Sequence, residues 1–311
     1  MVDSKHQWKA WLYLSPAIVL LLIFTVWPIY NTVKMSLLEG YTTMKAANPL
    51  TANFSLGLGN FINVLSYPGF LNCLKNTILL CVLTVPISTI LALLIAVALN
   101  SIKPLQKLLQ TIFFMPYVTN SIAIGMVFAA MFNMIIGGSA RPDSVGIVNN
   151  VLEALGFHYI NWTNAGSEYW ANIVVMVVYI VWNALPFKIL ILLGGLQSIN
   201  KQYYEAARVD GTSRARVLTR ITVPLLSPML AYVVITGFIG GFKEYSSIVG
   251  IFGESLGPTG NAYSLDTMVG FIYRAIGNNE GRASAAALIL FGIIFLVTMV
   301  NLAVSKKNTH Y

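Results

Sequence analysis

Long apolar runs alternate along the chain with short polar stretches, and this alternation predicts the elements. No charged residue falls between Lys9 and Lys34, Lys75 and Lys103, Lys107 and Arg141, or Arg282 and Lys306. Two further apolar runs carry only Lys188 and the pair Lys243-Glu244. A helix needs about 20 apolar residues to cross a bilayer, so the pattern predicts six spans. They are expected at about 10–33, 76–100, 108–136, 169–196, 224–252 and 283–305. Trp8, Trp11 and Tyr13 flank one end of the first run and Trp27 and Tyr30 the other, as aromatic belts do at membrane interfaces. That run is too long for a signal-peptide core, and no small-x-small cleavage site follows it, so it reads as a retained anchor. Pro86 in the second span is placed to kink it. The intervening stretches 39–72, 137–167 and 253–282 read as loops on one side of the membrane.

Composition agrees. Charged residues make up 10% and hydrophobic residues 57% of the 311, whereas soluble domains carry about 25% charge. The fold class is therefore all-α, a polytopic membrane protein with six transmembrane helices in a single domain spanning residues 1–311. The net charge of +8 follows from topology rather than from nucleic-acid binding. With both termini in the cytoplasm, the inner side holds Lys5, Lys9, Lys103, Lys107, Lys201, Arg208, Arg214, Arg216, Arg220, Lys306 and Lys307. The outer loops hold only Lys45, Arg141, Arg274 and Arg282. The reverse orientation would invert the positive-inside bias.

One hydrophilic stretch, 199–223, stands apart. Residues Glu205 to Val209 read as a short helix that Gly211 can end in a left-handed turn. Thr212 or Ser213 can cap a second helix running through Arg220, with Pro224 opening the next segment. Glu205-Ala206-Ala207, then Gly211, Ile221 and Pro224 in register, resembles the EAA loop of bacterial ABC importer permeases, with Val223 where Leu is commoner. Gly59-Asn60-Phe61 and Gly281-Arg282-Ala283-Ser284-Ala285 support a resemblance to the carbohydrate-type permeases of the maltose, multiple-sugar and glycerol-phosphate branch.

The resemblance implies a bacterial plasma-membrane importer subunit that does no chemistry and binds no cofactor. ATP and Mg would be used by two separate ATPase subunits, beside a second related permease and an extracellular solute-binding protein. The implied coupling residues are Glu205, Ala206, Ala207, Asp210, Gly211, Ile221 and Pro224. The carboxylates Glu205 and Asp210 either hold the two short helices together or pair with basic groups of the ATPase. The implied cargo is a sugar or oligosaccharide; glycerol-phosphate, a polyol or a peptide is the alternative.

The candidate path residues come from helical spacing. Gly237, Gly241 and Glu244 fall at i, i+4 and i+7 on one face of a fifth span. An acid in a span faces a cavity or a partner as a rule, while the glycines either line that cavity or permit close helix packing. Asn183 and Phe187 share a face with Ile180 and offer an amide and a flat ring, the groups a sugar needs, or else a packing surface for the second permease. If Cys73 and Cys81 lie on one helix, their eight-residue separation is too far for a disulfide between them. His6, His158 and His310 have no metal spacing, and no phosphate loop occurs. A secondary transporter is the rival reading, but it leaves the 199–223 pattern unexplained.

Overall fold

The computed structural model describes residues 7–102, 106–135 and 144–308. Lys5, His6, Lys103, Arg141 and His310 lie outside the described residues. The helices are α1 (Trp8–Leu37), α2 (Thr43–Ala47), α3 (Gly59–Leu65), α4 (Phe70–Ser101), α5 (Gln106–Phe114) and α6 (Ser121–Phe132). They continue as α7 (Ile147–Ala154), α8 (Tyr169–Ser198), α9 (Lys201–Val209), α10 (Arg214–Leu225) and α11 (Ser227–Phe242). Last come α12 (Ser246–Phe252), α13 (Met268–Ala275) and α14 (Glu280–Asn308). A two-residue antiparallel pair, Met134–Ile135 with Ser144–Val145, precedes α7. Among the described residues four helices, α1, α4, α8 and α14, are long and apolar enough to cross a membrane alone. Two bent pairs bring the number of spans to six if each pair counts as one.

The single domain expected from the sequence separates into two compact units, residues 1–70 with 271–291 and residues 71–270 with 292–311. In the first unit, α1 is apolar all round and 0% of its hydrophobic window is buried, the signature of a helix facing lipid or another chain. Asn60 is fully buried and donates to the carbonyls of Ser36 (3.0 Å) and Leu38 (2.7 Å) as α1 ends. A Cβ on Gly281 would lie 2.7 Å from Asn60 Nδ2. The two distant motifs, Gly59-Asn60-Phe61 and Gly281-Arg282-Ala283, therefore meet, and Gly281 is glycine because Asn60 occupies its flank. The Gly281 N–H donates to the Tyr41 carbonyl at 3.1 Å and Glu280 accepts from Thr43 Oγ1 at 2.7 Å, completing the seam.

In the second unit three sequence expectations need correction. The third span is not straight: α5, with its short 3-10 extension to Val118, and α6 meet at 99°. Pro116 and the extended backbone of Thr119 end the first half, and Asn120 caps α6 by accepting from the N–H groups of Ile122 and Ala123. The described helix stops at Phe132 rather than 136. The fifth span is α10 plus α11, bent by 72°. It ends at Phe242, and α12 is a separate helix. Pro224 therefore lies within α10 rather than opening a segment; the break falls at Leu226. The stretch 253–282 is not a solvated loop throughout, since Leu256, Leu265, Asp266, Thr267 and Met268 are buried. Asn76 Nδ2 holds this segment by donating to the carbonyls of Ser264 and Asp266, both at 2.9 Å.

The π-helical turns in α1 (Leu22–Val26) and α10 (Leu218–Thr222) each end two residues before a proline, Pro28 and Pro224. A helical proline lacks its N–H and clashes with the carbonyl four residues back. The residue before each proline instead bonds five back, Trp27 to Leu22 and Val223 to Leu218. The extra residue per turn absorbs the proline without ending the helix.

α6 and α12 cross where Gly125 faces Gly250. A Cβ on Gly125 would lie 2.6 Å from the Gly250 Cα, so backbone touches backbone. Gly194 has nothing within 4 Å. Gly125→Leu is expected to lower the melting temperature of the purified protein, a cost of about 1–3 kcal/mol for overpacking, while Gly194→Leu leaves it unchanged. Equal melting of the two variants would exclude the backbone contact.

Candidate substrate path and coupling elbow

A cavity of about 290 Å³ opens among α4, the 3-10 turn after α5, α8 and α11. Of the sequence candidates, Asn183, Phe187, Gly237, Gly241 and Glu244 all line it, together with Thr84, Ser88, Tyr117, Thr236 and Gly240. Phe187 stacks on Tyr117 with ring centroids 5.8 Å apart and planes 19° apart, and Tyr232 adds a third ring 6.5 Å from Phe187. Asn183 has no hydrogen-bond partner among the described residues and leaves its amide to the cavity. The wall thus offers a flat ring face beside free amide donors and acceptors.

The glycines divide by role. A Cβ on Gly241 would lie 2.8 Å from Cys81 Sγ, and one on Gly237 would lie 3.1 Å from Val85 Cγ1 and 3.2 Å from Lys188 Nζ. Both let α11 approach α4. Gly240 has nothing within 4 Å and is exposed to the cavity. Spacing alone missed it because it lies off the Gly237–Gly241 row. Glu244 does not continue that helical face, a second correction to the fifth span. It follows the end of α11, where its carboxylate accepts from the Ser247 N–H (3.2 Å) at the start of α12. Thr267 Oγ1 fixes its carbonyl at 2.8 Å. Lys243 is exposed.

Lys188 is the residue that sequence reasoning left without a role. It is 4% exposed, and its ammonium donates to Ser88 Oγ (2.7 Å), Thr89 Oγ1 (2.9 Å) and the Val85 carbonyl (3.2 Å). Ser88 and Thr89 donate back to carbonyls of their own helix, so their lone pairs point at the cation. Three N–H donors meet three neutral acceptors, and α8 is tied to α4. Lysine at i+8 from Ile180 on a cavity face is the signal that could have found it.

The second assembly is an elbow. α9 ends in a Schellman turn: the Thr212 N–H reaches the Ala207 carbonyl at 2.9 Å and the Gly211 N–H the Arg208 carbonyl at 3.1 Å, with Gly211 at φ +65°. Ser213 occupies the N-cap position of α10 without a side-chain cap bond. Ala207 is buried, and the Tyr204 hydroxyl lies 3.4 Å from Thr222 Oγ1, joining α9 to α10. Glu205, Ala206, Asp210, Gly211 and Pro224 are exposed and Ile221 is half-buried. Neither Glu205 nor Asp210 has a partner among the described residues, so the elbow is not held by its carboxylates; both stand on its outer surface.

Among the described residues the chain thus combines four membrane-length helices, two bent helix pairs, a polar cavity and a basic elbow. The chain belongs to the family of binding-protein-dependent transport system inner membrane components, whose model matches residues 85–310. It is 30% identical over 296 residues to the lactose transport system permease protein LacF of Rhizobium radiobacter, covering 94% of this chain and 91% of that one. It is 29% identical over 303 residues to the sn-glycerol-3-phosphate transport system permease protein UgpA of Agrobacterium fabrum, covering 97% and 96%. A crystal structure of a bacterial ABC transporter that imports the acidic polysaccharide alginate has a similar fold, with a TM-score of 0.76, 22% identity and 98% of both chains covered.

The Lys188 geometry generates a stability test. Ser88→Ala with Thr89→Val removes two of the three acceptors and strands a buried cation, expected to cost about 3–5 kcal/mol, as when a buried charge loses its partner. Adding Lys188→Met to that pair should restore most of the stability in a denaturation series. A triple variant no more stable than the double would show that the ammonium is not the cause.

Proposed function

We propose that this chain is the permease subunit of an ATP-driven importer for a sugar or oligosaccharide, with the cavity around Phe187 as part of the path. The observation that carries the reading is the pairing of the Tyr117–Phe187 ring stack with the Asn183 amide on one cavity wall. Pyranose rings pack their apolar faces on aromatics and present hydroxyls to amides and carboxylates, so Asn183 and Glu244 act as hydroxyl partners. The lactose and arabinooligosaccharide permeases among its relatives support the same cargo class. The glycerol-phosphate relative keeps a phosphorylated polyol as the second reading.

The elbow, residues 199–223, is the coupling element. A second permease, two ATPase subunits that use ATP and Mg, and an extracellular binding protein complete the assembly; a solved relative of the same fold is described in complex with a periplasmic protein. Glu205, Ala206, Asp210 and Gly211 form the surface that meets an ATPase, with Ala207, Ile221 and Pro224 setting its angle. Both termini and the elbow face the cytoplasm, and the six spans are α1, α4, α5–α6, α8, α10–α11 and α14.

Two experiments test this. Gly240→Trp points an indole into open cavity, so the reconstituted complex should assemble and hydrolyse ATP while uptake of radiolabelled sugar falls at least tenfold. Gly241→Trp drives the ring into Cys81 and should fail to assemble. Full uptake by Gly240→Trp removes the path assignment. For orientation, single cysteines at Ser55 and Asn261 should react with an impermeant maleimide in intact cells, whereas one at Ser213 should react only after lysis. Outside labelling of Ser213 overturns the topology.

A further inference from the structure

A second cavity, about 480 Å³, lies between the elbow and the ends of α4 and α8. Its walls are of two kinds. Val97 of α4 and Leu196 of α8, at the ends of two spans, supply apolar surface. Arg208, Thr212 and Arg214, with Tyr204, supply two guanidinium groups and two hydroxyls. Among the described residues no carboxylate lines it and neither arginine has an acidic partner. Glu205 and Asp210, the acids of the same segment, are exposed as the two arginines are, but only the arginines line the cavity. The Schellman turn sets this division: Tyr204 and Arg208 share one face of α9 at i and i+4, and the reversal at Gly211 brings Arg214 to the same side.

Two arginines without a counter-anion, set over hydroxyl groups, form the donor set for a phosphate ester, which guanidinium binds through paired N–H groups. We propose that this cavity is a phosphate-ester site in the elbow, filled by the headgroup of an anionic phospholipid with its chains against Val97 and Leu196. A soluble phosphate monoester carries the same chemistry, but it leaves the apolar wall unused. The volume fits: at about 30 Å³ per water, the space exceeds a single phosphate several times over and admits a glycerophosphate group. The position gives the site a consequence. A ligand bridging Arg208 of α9 and Arg214 of α10 stiffens the angle between the two helices, so occupancy modulates how elbow movement reaches the spans. The lipid source rests on the cytoplasmic placement proposed above; the donor set does not.

The test uses the whole complex, with its ATPase subunits, extracted into mild detergent and examined by native mass spectrometry after exchange into mixed phosphatidylglycerol and phosphatidylcholine. Wild type should retain phosphatidylglycerol selectively. Arg208→Gln with Arg214→Gln should reduce that retention at least tenfold, and Arg208→Lys with Arg214→Lys should keep it within about threefold. Where the Gln pair fails to assemble, Arg208→Gln alone decides, with an expected loss of at least threefold. Binding of glycerol 3-phosphate or inorganic phosphate, with the same dependence on the arginines and no lipid selectivity, assigns the site to a soluble ligand and overturns the lipid source. Equal retention in wild type and Gln variants, with no phosphate binding, overturns the site. None of these readouts depends on sugar uptake, so failure here leaves the importer reading standing, and failure of the importer reading leaves the binding result intact.

Discussion

The second unit depends on one buried cation. An ammonium within a membrane span costs about 2.5–3.5 kcal/mol on insertion scales, and Lys188 meets that cost with a socket cut into α4. The Val85 carbonyl, Ser88 and Thr89 supply three oxygens within 3.2 Å. Beside this tie, α11 comes so near that a Cβ at position 241 would lie 2.8 Å from Cys81 Sγ and one at 237 would lie 3.1 Å from Val85 Cγ1 and 3.2 Å from Lys188 Nζ. The cavity lies beside the tie, and its polar lining comes from Thr84, Ser88, Asn183 and Thr236 together with Lys188 and Glu244.

The fold was legible from charge gaps because the bilayer imposes a length on every apolar run. What the gaps could not reveal was where a run bends. A broken helix and a straight one have the same hydropathy, and the break at Thr119-Asn120 is made by one cap, Asn120, in a run with no charge. The same blindness extended the fifth span past Phe242. Glu244 and the start of α12 look helical in spacing, but one carboxylate oxygen accepts from the Ser247 N–H and the carbonyl from Thr267 Oγ1, which fixes the residue outside the helix. The segment 256–268 read as loop because its Gly, Pro and Asn residues are turn formers. Its burial rests on Asn76, some 190 residues away in the chain, a pairing that no local pattern contains.

The site was legible in a different measure. The elbow's turn was readable to the residue, since Gly211 at φ +65° is a local requirement with a local signature. The cavity-lining set was partly readable: Asn183 and Phe187 share a helical face, and that face does line the cavity. Tyr117 and Gly240 were not readable. Tyr117 reaches the cavity only because the chain breaks after Val118, and Gly240 is one residue off the row that the spacing selected. The contribution of each glycine is a matter of what lies opposite, and only three-dimensional proximity separates Gly241 against Cys81 from Gly240 in open space.

The importer reading requires the elbow's turn to act on a cavity tens of residues away in the chain. The connection is short in elements. α10 runs from the elbow to Leu226, where the 72° bend begins α11, which carries Gly237, Gly240 and Gly241 to the cavity wall. Leu226 is buried, and its Cδ1 lies where a Cβ on Gly195 of α8 would be, 2.6 Å away, so the bend is pinned against a second span. The compliant part lies on the elbow side of that pin, in the π turn Leu218–Thr222 and the proline after it, where the hydrogen-bond ladder is already loosened. In the importer reading, a push on the elbow would meet the π turn of α10 before it reaches α11 at Leu226. In the importer reading this makes Gly195 and Leu226 a pivot, with Lys188 fixing the wall against which α11 moves.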